Sequence, residues 1–321
     1  MPTATPSRVR AISLAALDLS EPVIAKPGDP APHHVRAALD LRLRAMLRHD
    51  PGTREGTDIE ELHQMRVSVR RMRATLKAAR PLLDAAWADG LRAELGWLGR
   101  ALGPVRDLDV MLLRLRGEAA TLPERERAAA EVLVGGLETE HAQARITMLA
   151  ALNAPRYTAL VELLADAVRL PLPTPSATDS TPELIDLVRK EVRRLAKAVE
   201  RAGDDPPDEV LHALRIDGKR VRYTGELVEP AMGRKQAKAV KKLLVATAEL
   251  QEVLGDHQDA CVAEERVRRL LDGLLAGDTA VDAHVVFVAG RLVERERERA
   301  TDMRELWRDA WETVRTRAVG L

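Results

Sequence analysis

The stretch LHQMRVSVRRMR, residues 62–73, recurs in the second half of the chain as LHALRIDGKRVR, residues 211–222. Both copies begin with leucine and histidine, place an arginine three positions after the histidine, and end in further basic residues. A second pair of blocks follows in the same order, LGPVRDLDV at residues 102–110 and LGDHQDACV at residues 254–262. Two matched pairs of blocks indicate an internal repeat of one structural unit.

The first copy has the periodicity of an amphipathic helix. At about 100° per residue its basic side chains fall within an arc of about 80°. We call this set the first stripe: His63, Arg66, Arg70, Arg73 and Lys77. The neighbouring arc is apolar and contains Leu62, Met65, Val69, Met72 and Leu76. The pattern therefore predicts a helix that buries one side and presents basic residues on the next. The corresponding second stripe consists of His212, Arg215, Lys219 and Arg222.

The composition predicts an all-α protein. Apolar residues make up 45% and charged residues 31% of the 321 residues, but aromatic residues only 2%. Ala, Leu, Arg and Glu dominate, which is typical of packed helices, and no alternating strand pattern occurs. Helical patterns cover residues 32–48, 58–80, 84–102, 106–116, 123–152 and 155–169, and then 182–202, 207–229, 232–254, 257–275 and 280–317.

A proline-rich segment, PLPTPSATDSTP, divides the chain near its middle. Its four prolines and small polar residues lack apolar periodicity, which predicts a linker. The domain prediction is an N-terminal tail at 1–31 that packs little or pairs locally, a first helical half at 32–170, the linker at 171–182 and a second helical half at 183–321.

Charge is balanced overall, with 50 basic and 50 acidic residues, so attraction for an anion must come from local clusters. No acidic residue occurs between Leu62 and Leu83, although like charges on one helix face repel each other. A third basic cluster, consisting of Arg234, Lys235, Lys238, Lys241 and Lys242, lies in another acid-free stretch, Pro230–Ala248. These clusters predict binding of a polyanion; the alternative is solvated faces neutralised by acidic residues of neighbouring helices.

Phosphate suits such clusters because guanidinium groups bind its oxygens bidentately. Each stripe begins with a histidine, whose imidazole can donate from both nitrogens once a nearby phosphate favours its protonation. Nucleic acid is a rival ligand, but one Phe, two Tyr and four Trp make a base-stacking platform improbable.

An enzymatic interpretation would use His63 or His212 as phosphoryl acceptor or metal ligand. Acidic partners would come from Asp107, Asp109, Asp256 and Asp259. These carboxylates directly follow glycine breaks, so we expect them to cap helix starts or to pair with arginines of the stripes. No phosphate-binding glycine loop or nucleophile motif occurs, and Cys261 is the only cysteine. We therefore predict a non-catalytic protein without cofactor or metal.

The paired motifs resemble the conserved histidine α-helical domain (CHAD) family over roughly residues 32 to 320. The resemblance implies two four-helix bundles related by pseudo-twofold symmetry, with inorganic polyphosphate held in a basic groove or pore between them. It also implies association with polyphosphate granules. The residues that it implicates are His63, Arg66, Arg70, Arg71 and Arg73, and likewise His212, Arg215, Lys219, Arg220 and Arg222. Asp217 and Gly218 depart from the family pattern, so weaker binding is expected in the second half.

Family members often accompany triphosphate-processing CYTH domains. The chain contains no stretch similar to such a domain, so a stand-alone version is expected. The apolar run Ala11–Leu17 is too short for a convincing signal peptide, and no stretch has the length of a membrane helix. These features predict a soluble, cytoplasmic protein.

Overall fold

The structure, a computed structural model, describes residues 12–174, 183–277 and 280–321. Within these ranges the chain forms helices and no strands, which confirms the predicted all-α fold. Among the same residues, no helix combines the length and apolar character needed to cross a lipid bilayer. The α-helices are α1 (Ala31–Glu55), α2 (Ile59–Ala78), α3 (Ala85–Ala120), α4 (Glu124–Asn153), α5 (Pro155–Arg169), α6 (Leu184–Ala202), α7 (Asp208–Val228), α8 (Arg234–Leu275) and α9 (Ala283–Ala318).

The predicted helix breaks at Gly103-Pro104 and at Gly255 are wrong. Helix α3 continues through the first position and α8 through the second. A proline inside a helix removes a backbone donor and costs about 3 kcal/mol. Leu102 and Val105, on either side of the Gly103-Pro104 pair, are 0% and 2% exposed, so their burial favours a continuous helix across Pro104. Helix α1 likewise continues past the predicted end, through Pro51 to Glu55.

The described residues divide into two compact units. The first comprises those within 1–25, 30–106 and 144–180, and the second those within 26–29, 107–143 and 181–321. The division therefore falls inside α3 and α4, whereas the sequence-based halves keep both helices in the first half. Of the predicted linker, residues 171–174 are non-helical and residues 175–182 lie outside the described ranges.

In the first unit, α1 packs against α2 and α5. The predicted apolar arc of α2 is buried, which confirms the amphipathic pattern: Leu62, Met65, Val69, Met72 and Leu76 are at most 4% exposed. The described N-terminal residues up to Ala25 belong to this unit, and some of them pack on it. Leu19 is 3% exposed, and the backbone N–H of Val23 donates to the Asp40 carboxylate at 2.8 Å. The expectation that this segment packs little is therefore wrong at Leu17, Leu19 and Val23, whereas Ile24 is 71% exposed.

In the second unit, α7 packs against both α6 and α8, and α8 packs against α9. The helix that carries the lysine cluster, α8, is therefore a direct neighbour of the helix that carries His212. The core joins apolar residues of α7 to two tryptophans of α9, and includes Leu211, Leu214, Val221, Trp307 and Trp311. Burial of one side of α7 leaves the second stripe on its remaining faces.

Candidate functional site: basic helical surfaces

The first stripe lies on α2, whose start is fixed by Asp58. The Asp58 carboxylate accepts a hydrogen bond from the backbone N–H of Glu60 at 2.8 Å, which satisfies one of the unpaired donors at the helix start. Because the apolar arc of α2 is buried, the stripe is turned away from the core. Exposure increases along it, from half-buried His63 and Arg66 to exposed Arg70, Arg73 and Lys77, with Arg71 half-buried beside them.

Arginines of the first stripe lie against a glycine-containing face of α3. A Cβ atom on Gly103 would stand 2.5 Å from Nη1 of Arg66, closer than real Cβ contacts allow. A Cβ on Gly96 would stand 3.5 Å from Nη2 of Arg73, in ordinary contact. The lack of a side chain at Gly103 therefore lets the Arg66 guanidinium reach the α3 backbone.

Helix α3 adds basic residues that sequence reasoning missed. Burial lowers the pKa of His63, and the positive charge of Arg106 lowers it further. Burial also lowers the pKa of Arg73, with contributions from Arg92 and Arg100. Positive charges of the two helices are thus close enough to act on one another. We call the combined set the first basic surface: His63, Arg66, Arg70 and Arg73 of α2 with Arg92, Arg100 and Arg106 of α3.

Four arginines of this surface, three of them exposed, lack a carboxylate partner among the described residues. Within the described part of the chain, Arg70, Arg73, Arg100 and Arg106 form no ion pair with a carboxylate. Arg92 is the exception, because its Nη1 lies 3.3 Å from Asp89. Neutralisation by neighbouring acidic residues, the alternative left open by the sequence, does not account for these four arginines.

The second stripe on α7 is paired more fully. Nδ1 of His212 lies 2.6 Å from Oε1 of Gln258, and Nη2 of Arg215 lies 3.9 Å from the Asp259 carboxylate. Burial raises the pKa of Asp259, while Arg215, Arg114 and Lys219 act in the opposite direction. Two further ion pairs lie within α7, Arg220 with Asp217 at 2.9 Å and Arg222 with Glu226 at 3.1 Å. Much of this stripe's charge is therefore balanced by residues of its own unit.

The lysine cluster at the start of α8 forms a separate groove. Lys235, Lys238 and Lys242 line a cavity of about 820 Å³ together with Thr316 and Arg317 near the end of α9. Lys241 is exposed but does not line this cavity. Three of the four predicted lysines are thus brought together.

A fourth basic face, on α6, was missed by sequence reasoning. Its basic residues line a groove of about 540 Å³: Lys190, Arg193, Arg194, Lys197 and Arg201. The helical spacing of these cations is visible in the sequence, but Glu191 and Glu200 interrupt the run and give it the appearance of a mixed-charge face. In the structure Glu191 and Asp217 also line the groove, and Arg194 lies 3.4 Å from Asp217.

The predicted capping role of the aspartate pairs is wrong. Asp107 and Asp109 lie inside α3, and Asp256 and Asp259 lie inside α8, so none of them stands at a helix start. Pairing with a stripe arginine is confirmed for Asp259 through Arg215. Asp109 is bound to His141 at 2.8 Å instead.

Among the described residues, the side chains that come together as potential metal ligands are Asp208, His257 and Cys261. Sequence reasoning did not group them. All three lie in the second unit, and none belongs to either stripe.

Comparison with known proteins gives a consistent assignment. The family model for the CHAD domain matches residues 37–268. The uncharacterized proteins Rv2226 and MT2285, from two strains of Mycobacterium tuberculosis, are each 31% identical over 288 residues, or 87% of this chain and 52% of the relative. The chain thus spans about half the length of these curated relatives.

Two solved structures are similar to the chain. The CHAD domain from the plant Ricinus communis has a TM-score of 0.68 and 27% identity, and the match covers 94% of this chain and 96% of that domain. PptA from Streptomyces chartreusis has a TM-score of 0.71 and 22% identity, covering 88% of this chain and all of that chain, and this likeness supports the fold alone.

Proposed function

Since the chain belongs to the CHAD domain family, which is associated with polyphosphate-related proteins, we propose that it binds inorganic polyphosphate through its basic helical faces without catalysing a reaction. The observation that carries this proposal is the first basic surface. Four arginines there, Arg70, Arg73, Arg100 and Arg106, have no carboxylate partner in the described chain. Such a concentration of like charge is stabilised by an anion that spans several of them.

The chemistry of the surface favours a repeated anion over a single phosphate. Successive stripe positions on α2 are three or four residues apart, which corresponds to a rise of about 4.5–6 Å along the helix. A chain of phosphoryl groups can contact several guanidinium groups at such intervals, and each contact releases counterions. Arg66 contributes a guanidinium held in place against Gly103, so less side-chain entropy is lost when it binds.

The second stripe and the lysine cluster are expected to contribute less to polyphosphate affinity than the first basic surface. The second stripe contributes less affinity, because Arg215, Arg220 and Arg222 already interact with carboxylates of their own unit. The lysine groove of Lys235, Lys238 and Lys242 offers an additional, more mobile set of charges. Recruitment to polyphosphate granules would follow from affinity for the polymer.

Polyphosphate is favoured over nucleic acid because four of the seven aromatic side chains are buried or covered, and Phe287, which is 57% exposed, lies on α9 of the second unit and outside the first basic surface. Tyr157, Trp307 and Trp311 are buried, at most 5% exposed, and Trp97 is covered by the guanidinium of Arg156 at 4.6 Å. Recognition of single-stranded nucleic acid relies on exposed aromatic faces. The arginines of the first basic surface bind phosphate without such faces.

A binding titration tests the proposal. We expect labelled long-chain polyphosphate to bind the purified chain with a dissociation constant in roughly the nanomolar to micromolar range, rising steeply with salt concentration. Duplex DNA of equal total charge serves as competitor. Equal competition by the DNA would replace the proposal with general polyanion binding, and lack of polyphosphate binding would refute it.

The non-catalytic part of the proposal has its own assay. Incubation of the chain with polyphosphate, with and without a divalent cation, is expected to release no orthophosphate above the rate without protein. Release that persists in a repurified sample and is lost with His63→Ala or His212→Ala would support an enzymatic role in place of simple binding.

A further inference from the structure

Three side chains with metal-binding chemistry meet near the start of α7. Asp208 is the first residue of that helix, and His257 and Cys261 lie one turn apart on one face of α8. His257 is 2% exposed and Cys261 is half-buried, whereas Asp208 is exposed. The cluster is therefore anchored in the protein on its α8 side and open toward solvent at the carboxylate.

The distances among these groups resemble those of a metal site. Nε2 of His257 lies 3.3 Å from Oδ1 of Asp208, and Sγ of Cys261 lies 3.7 Å from Oδ2 of Asp208. Sγ is also 4.0 Å from the ring nitrogens of His257. Zinc bonds of about 2.0–2.3 Å at tetrahedral angles separate neighbouring ligand atoms by about 3.3–3.7 Å. The three side chains thus need little movement to converge on one ion.

Neighbouring residues orient the carboxylate. Arg304 of α9 donates to Oδ1 of Asp208 at 2.6 Å and to Asp205 at 3.1 Å. Oδ2, the oxygen nearer Cys261, does not take part in the Arg304 bond. Outer contacts of this kind hold ligands in the geometry that a metal requires.

We propose that Asp208, His257 and Cys261 form a binding site for one Zn²⁺ ion, with solvent in the fourth position. A thiol, an imidazole and a carboxylate together suit zinc better than magnesium or calcium, which prefer oxygen ligands alone. On binding, the Cys261 S–H bond breaks, its sulfur forms the bond to the ion, and the proton passes to solvent. No electron transfer takes place.

Cobalt provides a direct spectroscopic test on untagged protein. Titration with Co²⁺ is expected to produce a thiolate-to-cobalt charge-transfer band that saturates at one equivalent, and Zn²⁺ is expected to remove it. The band should be absent in Cys261→Ser. Asp282→Asn with His284→Ala, an exposed pair elsewhere on the chain, is the matched control and should retain it. Absence of the band in the unsubstituted protein would overturn the proposal.

Thiol protection gives a second readout that does not need a cysteine variant. Because Cys261 is the only cysteine, a thiol-reactive dye reports on this site alone. Saturating Zn²⁺ should slow the reaction by about tenfold or more, and His257→Ala, with helicity confirmed by circular dichroism, should lose the protection. Equal rates with and without Zn²⁺ would mean that the cluster is only a hydrogen-bonded contact between α7 and α8. Neither test involves polyphosphate, so either proposal can fail alone.

Discussion

The guanidinium of Arg66 occupies the space that a side chain at Gly103 would need, since a Cβ there would stand 2.5 Å from Nη1. In the second unit Arg215 has the corresponding relation to Gly255, with Nε 3.6 Å from the position of such a Cβ. Both pairs join matched positions of the internal repeat. The repeat therefore reproduces a contact between a stripe arginine and a glycine inside a continuous helix, closer in the first unit than in the second.

Gly103→Ala should weaken polyphosphate binding without unfolding the protein. The new methyl group must displace the Arg66 guanidinium, while alanine raises helix propensity by up to about 1 kcal/mol. We expect a several-fold loss of affinity and an unchanged or higher thermal midpoint. Gly90→Ala, on the same helix with no atom within 4 Å of its Cβ position, is the control and should leave affinity unchanged. Equal affinities for the two variants would mean that the position of the Arg66 guanidinium against Gly103 does not contribute to polyphosphate binding.

The two stripes should differ in their contribution to binding. Arg215→Ala with Arg222→Ala removes cations that already interact with Asp259 and Glu226. Arg70→Ala with Arg73→Ala removes cations without carboxylate partners in the described chain. Titration of polyphosphate should therefore show a smaller loss for the α7 pair than for the α2 pair. Equal losses would mean that internal pairing does not limit the second stripe.

Polyphosphate binding should strengthen as pH falls, through His63. Burial and Arg106 lower the pKa of His63, so the imidazole is mainly neutral near pH 7 before ligand binds. A nearby phosphate raises that pKa, so the imidazole takes up a proton when polyphosphate binds, and binding is favoured at lower pH. For one titrating group the affinity changes by less than about tenfold per pH unit. Affinities measured from about pH 8 to 6 should depend less on pH in His63→Gln, and exposed His284→Gln is the control. Identical profiles for His63→Gln and unsubstituted protein would exclude this role.

Glu118 should stabilise the second unit at neutral pH. Burial acts to raise its pKa, but hydrogen bonds from Arg299 at 3.0 Å and Arg295 at 2.6 Å lower the pKa overall. A depressed carboxyl pKa gives stability above the unfolded value that is lost as pH falls through the folded value. Glu118→Gln should therefore cost about 1.5–3 kcal/mol at pH 7 and much less under acid conditions.

Unfolding by denaturant at pH 7 and under acid conditions measures the loss of stability caused by Glu118→Gln. Exposed Glu131→Gln, which removes the same charge from α4, is the control and should change stability little. A Glu118→Gln penalty that stays constant with pH would mean that the ionised carboxylate is not the stabilising form.

The helical class and the buried face of α2 could be predicted because both follow from local periodicity. The continuation of α3 through Gly103-Pro104 could not be predicted. The low helix propensity of glycine and proline opposes a helix there, whereas burial of Leu102 and Val105 in the tertiary structure favours it. The signal that could have found the correct boundary is the repeat itself. Gly103 and Gly255 are matched positions, and each faces the arginine of its own stripe.

The basic residues of α2, of α7 and of the start of α8 could be predicted from the sequence, whereas those of α3 and α6 could not. Arg92, Arg100 and Arg106 are separated in sequence by apolar residues and lie near acidic ones, so no charge run marks them. Their convergence on the first stripe depends on tertiary packing. The same holds for Asp208, which lies far along the chain from His257 and Cys261.

The central claim is that the arginines of the first basic surface that have no carboxylate partner among the described residues bind polyphosphate, and one comparison of affinities tests it most directly. The test variant combines Arg70→Ala, Arg73→Ala and Arg100→Ala. The control variant combines Arg268→Ala, Arg269→Ala and Arg315→Ala, so it loses the same number of positive charges from arginines that form ion pairs. At one fixed salt concentration we predict at least about a tenfold loss of affinity for long-chain polyphosphate in the first variant and under about threefold in the control, with equal helicity. Equal affinities in the two variants would contradict the account.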